Sequence, residues 1–243
     1  MATSGSTDFS VSRNDLIKYA LLNVGAIGEG ETPNSTQYTD GAMMLNLIVK
    51  SWNADGMPLW AIKQNSFALT ASTSFNIGVS QTINTPRPLR IFQAWLRDTT
   101  TTPNIDHPLN IITREEYDSL SSKSQTGTPV SLYYDPQGGA TAYGTIYLWP
   151  KPDATAISTY TCYITYQRPF EDFDATTDTP DFPQEWYLPL LWMLSYTLAP
   201  MYAVPLEERK IWLAEAAALK QQALNFGMEE GSVMLQPDEG FGK

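Results

Sequence analysis

The sequence predicts an α+β fold: an antiparallel helical bundle built from both chain ends, an inserted β-rich domain that is sandwich-like or barrel-like, and an extended C-terminal tail. Apolar residues recur at helical spacing near both ends, and short β-branched and aromatic segments alternate with turn residues in the middle. The end helices share one bundle only if the β region is an insertion. The expected units are the bundle at 12–56 and 182–226, the inserted domain at 57–181 and the tail at 227–243.

Two helices are predicted in the N-terminal part. Ser12 and Asp15 form a predicted N-cap pair, and apolar residues at helical spacing follow them. A second helix is predicted to begin at Ser35 or Thr36 and to stop before Pro58. Both helices carry an apolar stripe, so we expect each to bury one face.

Seven strands are predicted in the middle of the chain, because turn residues bound each of these segments. They cover 66–69, 74–77, 89–97, 108–112, 130–134, 145–149 and 157–167. The last segment is the clearest. Apolar groups alternate onto both of its faces, which predicts a central strand covered on both sides.

Helix signals also occur between and after the strands. Thr113 and Glu116 form a predicted capping box at the start of one short helix. After an acidic connector at 171–181, helices are predicted over 184–199 and from Pro205 to about residue 227. These last two helices are the expected C-terminal half of the bundle.

The charge balance argues against a nucleic-acid-binding protein. The 243 residues include 26 Asp and Glu but only 15 Lys and Arg, a net charge of −11. Neutralising phosphates requires a basic face, so any DNA contact should be loose. The single cysteine, Cys162, cannot form an internal disulfide. We expect synthesis in the cytosol and no membrane association. Residues 1–10 are polar and lack the basic and apolar stretches of a signal peptide, and the longest apolar run, 188–194, is too short to span a bilayer.

The residue types needed for catalysis or metal binding are scarce. His107 is the only histidine, it lies beside a predicted strand start, and no nucleophile motif accompanies it. One His and one Cys cannot supply a zinc site. We therefore expect no catalytic residue, no metal and no cofactor, and we interpret His107 as a surface or strand-end residue.

Four acidic residues in the connector, Asp172, Asp174, Asp178 and Asp181, have the density of a calcium loop. The glycine and the final glutamate of an EF-hand loop are both missing, so a solvated linker is the better interpretation. The order of the glycines at 25, 28 and 30 does not match a dinucleotide loop, and they follow a helix and not a strand. They predict a helix cap and a tight loop.

Two further patterns could belong to a carbohydrate-active protein. Carboxylate pairs occur at Glu115, Glu116 and Asp118 and at Glu171 and Asp172. The first set also suits the start of a helix, where negative charge is favourable.

A run of aromatic residues could line a sugar-binding face, although packing in a core or between subunits is favoured. Its members are Tyr133, Tyr134, Tyr143, Tyr147 and Trp149. A carbohydrate-binding or carbohydrate-cleaving tail protein of a phage is therefore the alternative function.

Eight short motifs occur in one order along roughly residues 12–226. They are NVGAIGEGETP at 23–33, SWNADG at 51–56, TPRPLRI at 85–91, ITREEY at 112–117, GTP at 127–129, LYYDP at 132–136, LWPKP at 148–152 and FPQEW at 182–186. This set resembles the head-to-tail adaptor (connector) proteins of tailed bacteriophages, including the packaged-DNA-stabilisation and tail-tubular-A type of short-tailed phages. A stopper or nozzle subunit of the neck is a neighbouring possibility.

The resemblance implies a non-enzymatic virion protein, made in the host cytoplasm and placed in the neck. Its copies would form a homo-oligomeric ring, expected to be a dodecamer, beneath the portal protein. The ring would extend the DNA channel, help to retain packaged DNA that passes without specific binding, and carry the next tail component, a nozzle or tail tube. The family's C-terminal segments often reach toward the portal. The apolar residues that would bind it here are Val233, Met234, Leu235 and Phe241.

Overall fold

The computed structural model of the protein describes residues 5–53, 59–137 and 143–226. The expected stop of the second helix and the expected boundary at residue 57 lie outside the described residues. The same holds for the C-terminal tail and its four portal-binding candidates, Val233, Met234, Leu235 and Phe241.

Six α-helices occur in the described part of the chain. They are α1 (Arg13–Asn23), α2 (Ser35–Trp52), α3 (Arg114–Ser119), α4 (Ala154–Thr159), α5 (Tyr187–Leu198) and α6 (Leu206–Phe226). Local capping explains where several of them begin. The predicted boxes are confirmed: Ser12 and Asp15 cap α1 reciprocally, and Thr113 and Glu116 do the same for α3. Asn34, with Gln37, forms a further capping box at the start of α2.

The described strands number ten. They are β1 (Ile62–Ala68), β2 (Ser74–Gly78), β3 (Ile83–Asn84), β4 (Arg90–Asp98), β5 (Ile105–Ile111), β6 (Thr126–Gly127), β7 (Ser131–Asp135), β8 (Tyr143–Trp149), β9 (Lys151–Pro152) and β10 (Tyr160–Gln167). The predicted strand 157–167 is wrong in its first part. Residues 157–159 belong to α4, because the Asp153 side chain accepts a hydrogen bond from the Ala156 N–H and starts a helix there.

Eight strands form one sheet in the order β1-β10-β4-β5-β7-β8-β2-β3, and β6 and β9 form a small second pair. β5 turns the corner of the large sheet. It pairs antiparallel with β4 through residues 105–109 and parallel with β7 through residues 110 and 111. Side chains from both ends of the strand order share one core, where the Phe67 and Phe75 rings lie 5.1 Å apart. The sheet is therefore curled and barrel-like, and it is nearly closed.

The helices near the two ends of the chain, α1, α2, α5 and α6, share a second hydrophobic core. Leu16 and Ile17 of α1, Leu45 of α2 and Leu190 and Leu194 of α5 are buried in it, and helices from both chain ends thus contribute to one cluster. The α+β class is confirmed. α5 contacts α1, α2 and α6, and is the helix that the other three have in common.

The chain enters and leaves the large sheet at one place. Ile62, the first residue of β1, is the register partner of Gln167, the last residue of β10. The Arg168 N–H donates to the Ala61 carbonyl at 3.0 Å, which continues the pairing by one step. The 104 residues between 62 and 167 therefore begin and end side by side, as an insertion requires.

Candidate interaction surfaces

An apolar depression lies between the N-terminal segment, α1 and α5. Its volume is about 300 Å³, and the described side chains that line it are uncharged. They are Phe9, Val11, Leu16, Tyr19, Gln184, Tyr187, Leu188 and Leu191. The Gln184 side chain donates to the Thr7 carbonyl at 2.8 Å, which ties the N-terminal segment to the start of α5. The rim is exposed: Phe9 is 67 % and Tyr19 is 54 % accessible.

A second depression of about 410 Å³ continues the first across the start of α5 toward α6. The two share Gln184 and Leu188, and the second ends at Phe226, which is 78 % exposed. We call the two depressions together the apolar groove. Contiguous exposed apolar surface of this kind marks interaction sites on proteins.

A separate apolar ridge runs along α2. Met43 and Leu47 are one turn apart on this helix and are 62 % and 53 % exposed. The opposite side of α2, with Leu45 and Val49, is buried in the helical core. Because no residue of α2 lines the apolar groove, the groove and the ridge are two distinct surfaces.

The structure places His107 in the interior of β5 and not at a strand start. It is the register partner of Leu96, and its exposed ring lies edge-on to Tyr160 with centroids 5.5 Å apart. Among the described residues, no hydrogen bond joins its ring to a nucleophile or to an acid. The interpretation as a surface histidine fits this environment.

Three of the four aspartate carboxylates of the acidic connector have protein partners. Asp181 pairs with Arg168, Asp172 pairs with Lys50, and the Asp178 carboxylate accepts from the backbone N–H groups of Asp174 and Ala175 at 2.8 and 2.6 Å. These contacts fold the connector against the helical core. In the part of the chain that the structure describes, no group of three His, Cys, Asp or Glu side chains is placed to hold a metal ion.

The glycine loop after α1 caps the helix, as predicted. Gly25 and Gly30 have φ values of +70° and +84°, which glycine adopts without strain. The Gly28 N–H donates to the Glu31 carboxylate at 2.7 Å, and therefore an acid occupies the position that a phosphate would need.

The three acids of α3 lie at its start and on its surface. Glu116 accepts from the Thr113 N–H at 2.7 Å, and this hydrogen bond lowers the pKa of the Glu116 carboxyl. Glu115 and Asp118 are also exposed on the surface of this short helix. The helix-start interpretation accounts for these residues.

The aromatic run is divided between several environments. The rings of Tyr117, Tyr133 and Tyr147 contact one another with centroids 5.1 to 5.7 Å apart, so each ring has an aromatic neighbour and does not form part of a flat platform. The Tyr134 hydroxyl donates to the Pro88 carbonyl at 2.6 Å, and burial raises its pKa. The Trp149 indole N–H donates to the Ser122 carbonyl at 2.9 Å. Packing is thus the role that the geometry favours.

A family model described as SU10 adaptor protein matches residues 15–236, which is most of the chain. No curated protein matches it. The match spans the helices at both ends as well as the whole β region. Within the described residues, moreover, no helix has the length and apolar character needed to cross a membrane.

Proposed function

Since this chain belongs to the SU10 adaptor protein family, we propose that it is a structural subunit of a ring in the neck of a tailed phage. The family is one of phage adaptor proteins, which bind other phage structural proteins as part of the virion. The finer assignment is that the ring docks under the portal, extends the DNA channel, helps to retain packaged DNA and carries the next tail component. Short-tailed phages are the proposed type, and the proposed role is not enzymatic.

The observation that carries the proposal, beyond the family match, is the pair of exposed apolar surfaces on the helices. A closed ring needs two different, complementary patches on each subunit, because its contacts are heterologous. The apolar groove beside Leu188 and the ridge of Met43 and Leu47 are two different exposed apolar patches on one subunit. We assign the groove and the ridge to contacts between neighbouring copies. In each copy, we propose that α1, α2, α5 and α6 form one four-helix bundle that carries these surfaces.

The net charge of −11 supports a channel through which DNA slides. Like charges on DNA and on the wall keep binding weak, because phosphate contacts by Lys and Arg provide most non-specific affinity. A dodecamer would multiply this charge and would present DNA with a strongly negative assembly.

Electron microscopy of the full chain mixed with purified portal protein tests this function. We expect a ring coaxial with the portal. The matched variants address the proposed portal contact in the tail: replacing Val233, Met234, Leu235 and Phe241 by serine should abolish docking and leave the fold intact. Replacing Glu229 and Glu230 by glutamine should change neither docking nor the fold. A chain that stays monomeric and does not bind the portal would contradict the proposal.

Carbohydrate binding or cleavage is the other candidate. The mutual packing of Tyr117, Tyr133 and Tyr147 disfavours it, since those rings already cover one another. A glycan array and a hydrolysis assay on host polysaccharide separate the two functions. Binding on the array together with no ring on the portal would favour the carbohydrate function.

A further inference from the structure

The edge of β1 that faces away from β10 has free hydrogen-bonding capacity. The hydrogen bond from the Arg168 N–H to the Ala61 carbonyl shows that the backbone groups of residue 61 point toward the β10 side. Along a strand, the backbone N–H and C=O groups of successive residues point to alternate sides. Residues 63, 65 and 67 of β1 therefore bond to β10. The backbone N–H and C=O groups of Ile62, Gln64, Ser66 and Ala68 therefore point outward.

Only one of these outward backbone groups has a described partner. The Ser66 N–H donates to the side chain of its neighbour Asn65 at 2.8 Å. Gln64, Ser66 and Ala68 are exposed, and residues 64–68 contain no proline and no charge. Proteins ordinarily protect such an edge by shortening it, by charged side chains, by proline or by covering it, because an open edge pairs with other chains.

Two other free edges of the sheet, on β5 and at β3, are less open to pairing. The backbone N–H groups of residues 110 and 112 donate to the β7 segment, on the side of β5 away from β4. Because these directions alternate along a strand, the backbone groups of residues 106 and 108 point to the same side and are not paired with β4. Pro108 supplies no N–H there, and the Asp106 carboxylate is held by a bidentate pair with Arg97 at 2.7 Å. At the other end of the strand order, β3 has only two residues. β1 is thus the long edge without protection.

We propose that the β1 edge is a binding site for an extended arm of a different protein of the neck assembly, which adds to the sheet as an antiparallel or parallel strand. The alternating donors and acceptors of Gln64 and Ser66 define the backbone chemistry of the arm. Lys63 is exposed at one end and favours an acidic residue in the arm, while Phe67, at the margin of the β core, favours an apolar one.

A second copy fits this edge less well. Pairing of β1 with β1 of another copy would produce a two-fold dimer, whereas a ring needs head-to-tail contacts. The edges of β5 and β3 are also poor partners for β1 of another copy, because β5 carries Pro108 and β3 has only two residues. The binding site rests on the proposed function, since it presumes a neck assembly, and it concerns a surface other than the groove and the ridge.

Amide hydrogen exchange compares the free chain with the chain in purified virions. In the free chain we expect fast exchange at Gln64 and Ala68 and slow exchange at Asn65 and Phe67. In virions the outward amides should exchange at least about tenfold more slowly. Unchanged exchange at the outward amides in virions that display the ring would overturn this inference and leave the proposed function intact.

Two substitutions at residue 66 distinguish a partner that pairs with β1 as a strand from a partner that only covers this surface without hydrogen bonds to its backbone. Ser66→Pro removes an outward N–H without removing a bond to β10, and Ser66→Thr keeps that N–H. We expect Ser66→Pro to lower incorporation into virions about tenfold and Ser66→Thr to leave it unchanged, with equal thermal unfolding of the two free chains. Equal incorporation would overturn the inference.

Cross-linking identifies the occupant. A short thiol-to-amine reagent on Ser66→Cys should join the chain to a different virion protein, because the native Cys162 is buried and does not compete. Products that contain only a second copy of the chain would overturn the proposal of a different partner. This readout holds even if the proline variant does not fold.

Discussion

Ile17 of α1 packs directly onto Gly41 of α2, so that a Cβ atom added to the glycine would lie 2.6 Å from Cγ2 of Ile17. Ile17 is fully buried, and Gly41 is the position that permits the two helices to approach so closely. The glycine in the middle of α2 costs about 1 kcal/mol of helix propensity relative to alanine, and it is the contact with Ile17 that explains its presence.

Gly41→Ala should therefore destabilise the protein by about 1–2 kcal/mol despite the better helix propensity, because overpacking outweighs the gain. The urea midpoint measures this. In an Ile17→Ala background, where both Cγ atoms are gone, the same substitution should be neutral or stabilising. An equal effect in both backgrounds would show that the close contact is not the cause.

The contact between Arg97 and Asp106 predicts a pH dependence. Hydrogen bonds from the Arg97 guanidinium lower the pKa of the Asp106 carboxyl. A lowered folded-state pKa stabilises the fold above the unfolded pKa, and this contribution is lost as pH falls through the folded value. The difference in unfolding free energy between wild type and Asp106→Asn should be largest near neutral pH and vanish in strong acid.

Denaturant titrations between neutral and strongly acidic pH test this difference. Asp40→Asn is the matched control, because Asp40 is an exposed acid for which no ion pair occurs among the described residues. Salt should reduce the Asp106 effect, since the pair is partly exposed. A difference that grows as the pH is lowered would have the wrong sign and would rule out this pair as its origin.

Cys162 should not react in the folded protein. The side chain is fully buried in β10, and burial raises the pKa of its thiol, so almost no thiolate is present or accessible. A colorimetric thiol reagent should label the native chain slowly and the guanidinium-unfolded chain at once. Rapid labelling under native conditions would indicate that this part of the sheet opens readily.

The apolar groove should be required for assembly and not for folding. Leu188→Gln should leave thermal unfolding nearly unchanged, because half of this side chain is already exposed. It should weaken assembly on the portal about 4–10-fold, since burying the exposed half of a leucine contributes about half of the 1.5–3 kcal/mol of full burial. Val79→Gln is the control: Val79 is also exposed and lies beyond β2, away from the groove. Equal loss in both variants would exclude a specific role for the groove.

The elements that could be predicted are those whose signals are local. Ser12 with Asp15 and Thr113 with Glu116 fix helix starts within four residues, and both were predicted from spacing. The start of α4 was missed, although Asp153 is an N-cap residue, because Ile157 and Thr159 match the alternation of the strand that follows.

The interaction surfaces could not be predicted in this way. The apolar groove brings Phe9, Leu188 and Phe226 together from three distant parts of the chain, and each residue taken singly is an ordinary apolar residue. The open edge of β1 depends on which strand lies beside it, and strand order across more than ninety residues leaves no local signal.

The adjacency of Ile62 and Gln167 has a consequence for how this architecture can diversify. A chain that departs and returns through one strand pair can lengthen, shorten or exchange the intervening segment while the flanking helices keep their places. Variation could then accumulate on the sheet, and the helical surfaces that we assign to contacts between copies would remain unaltered.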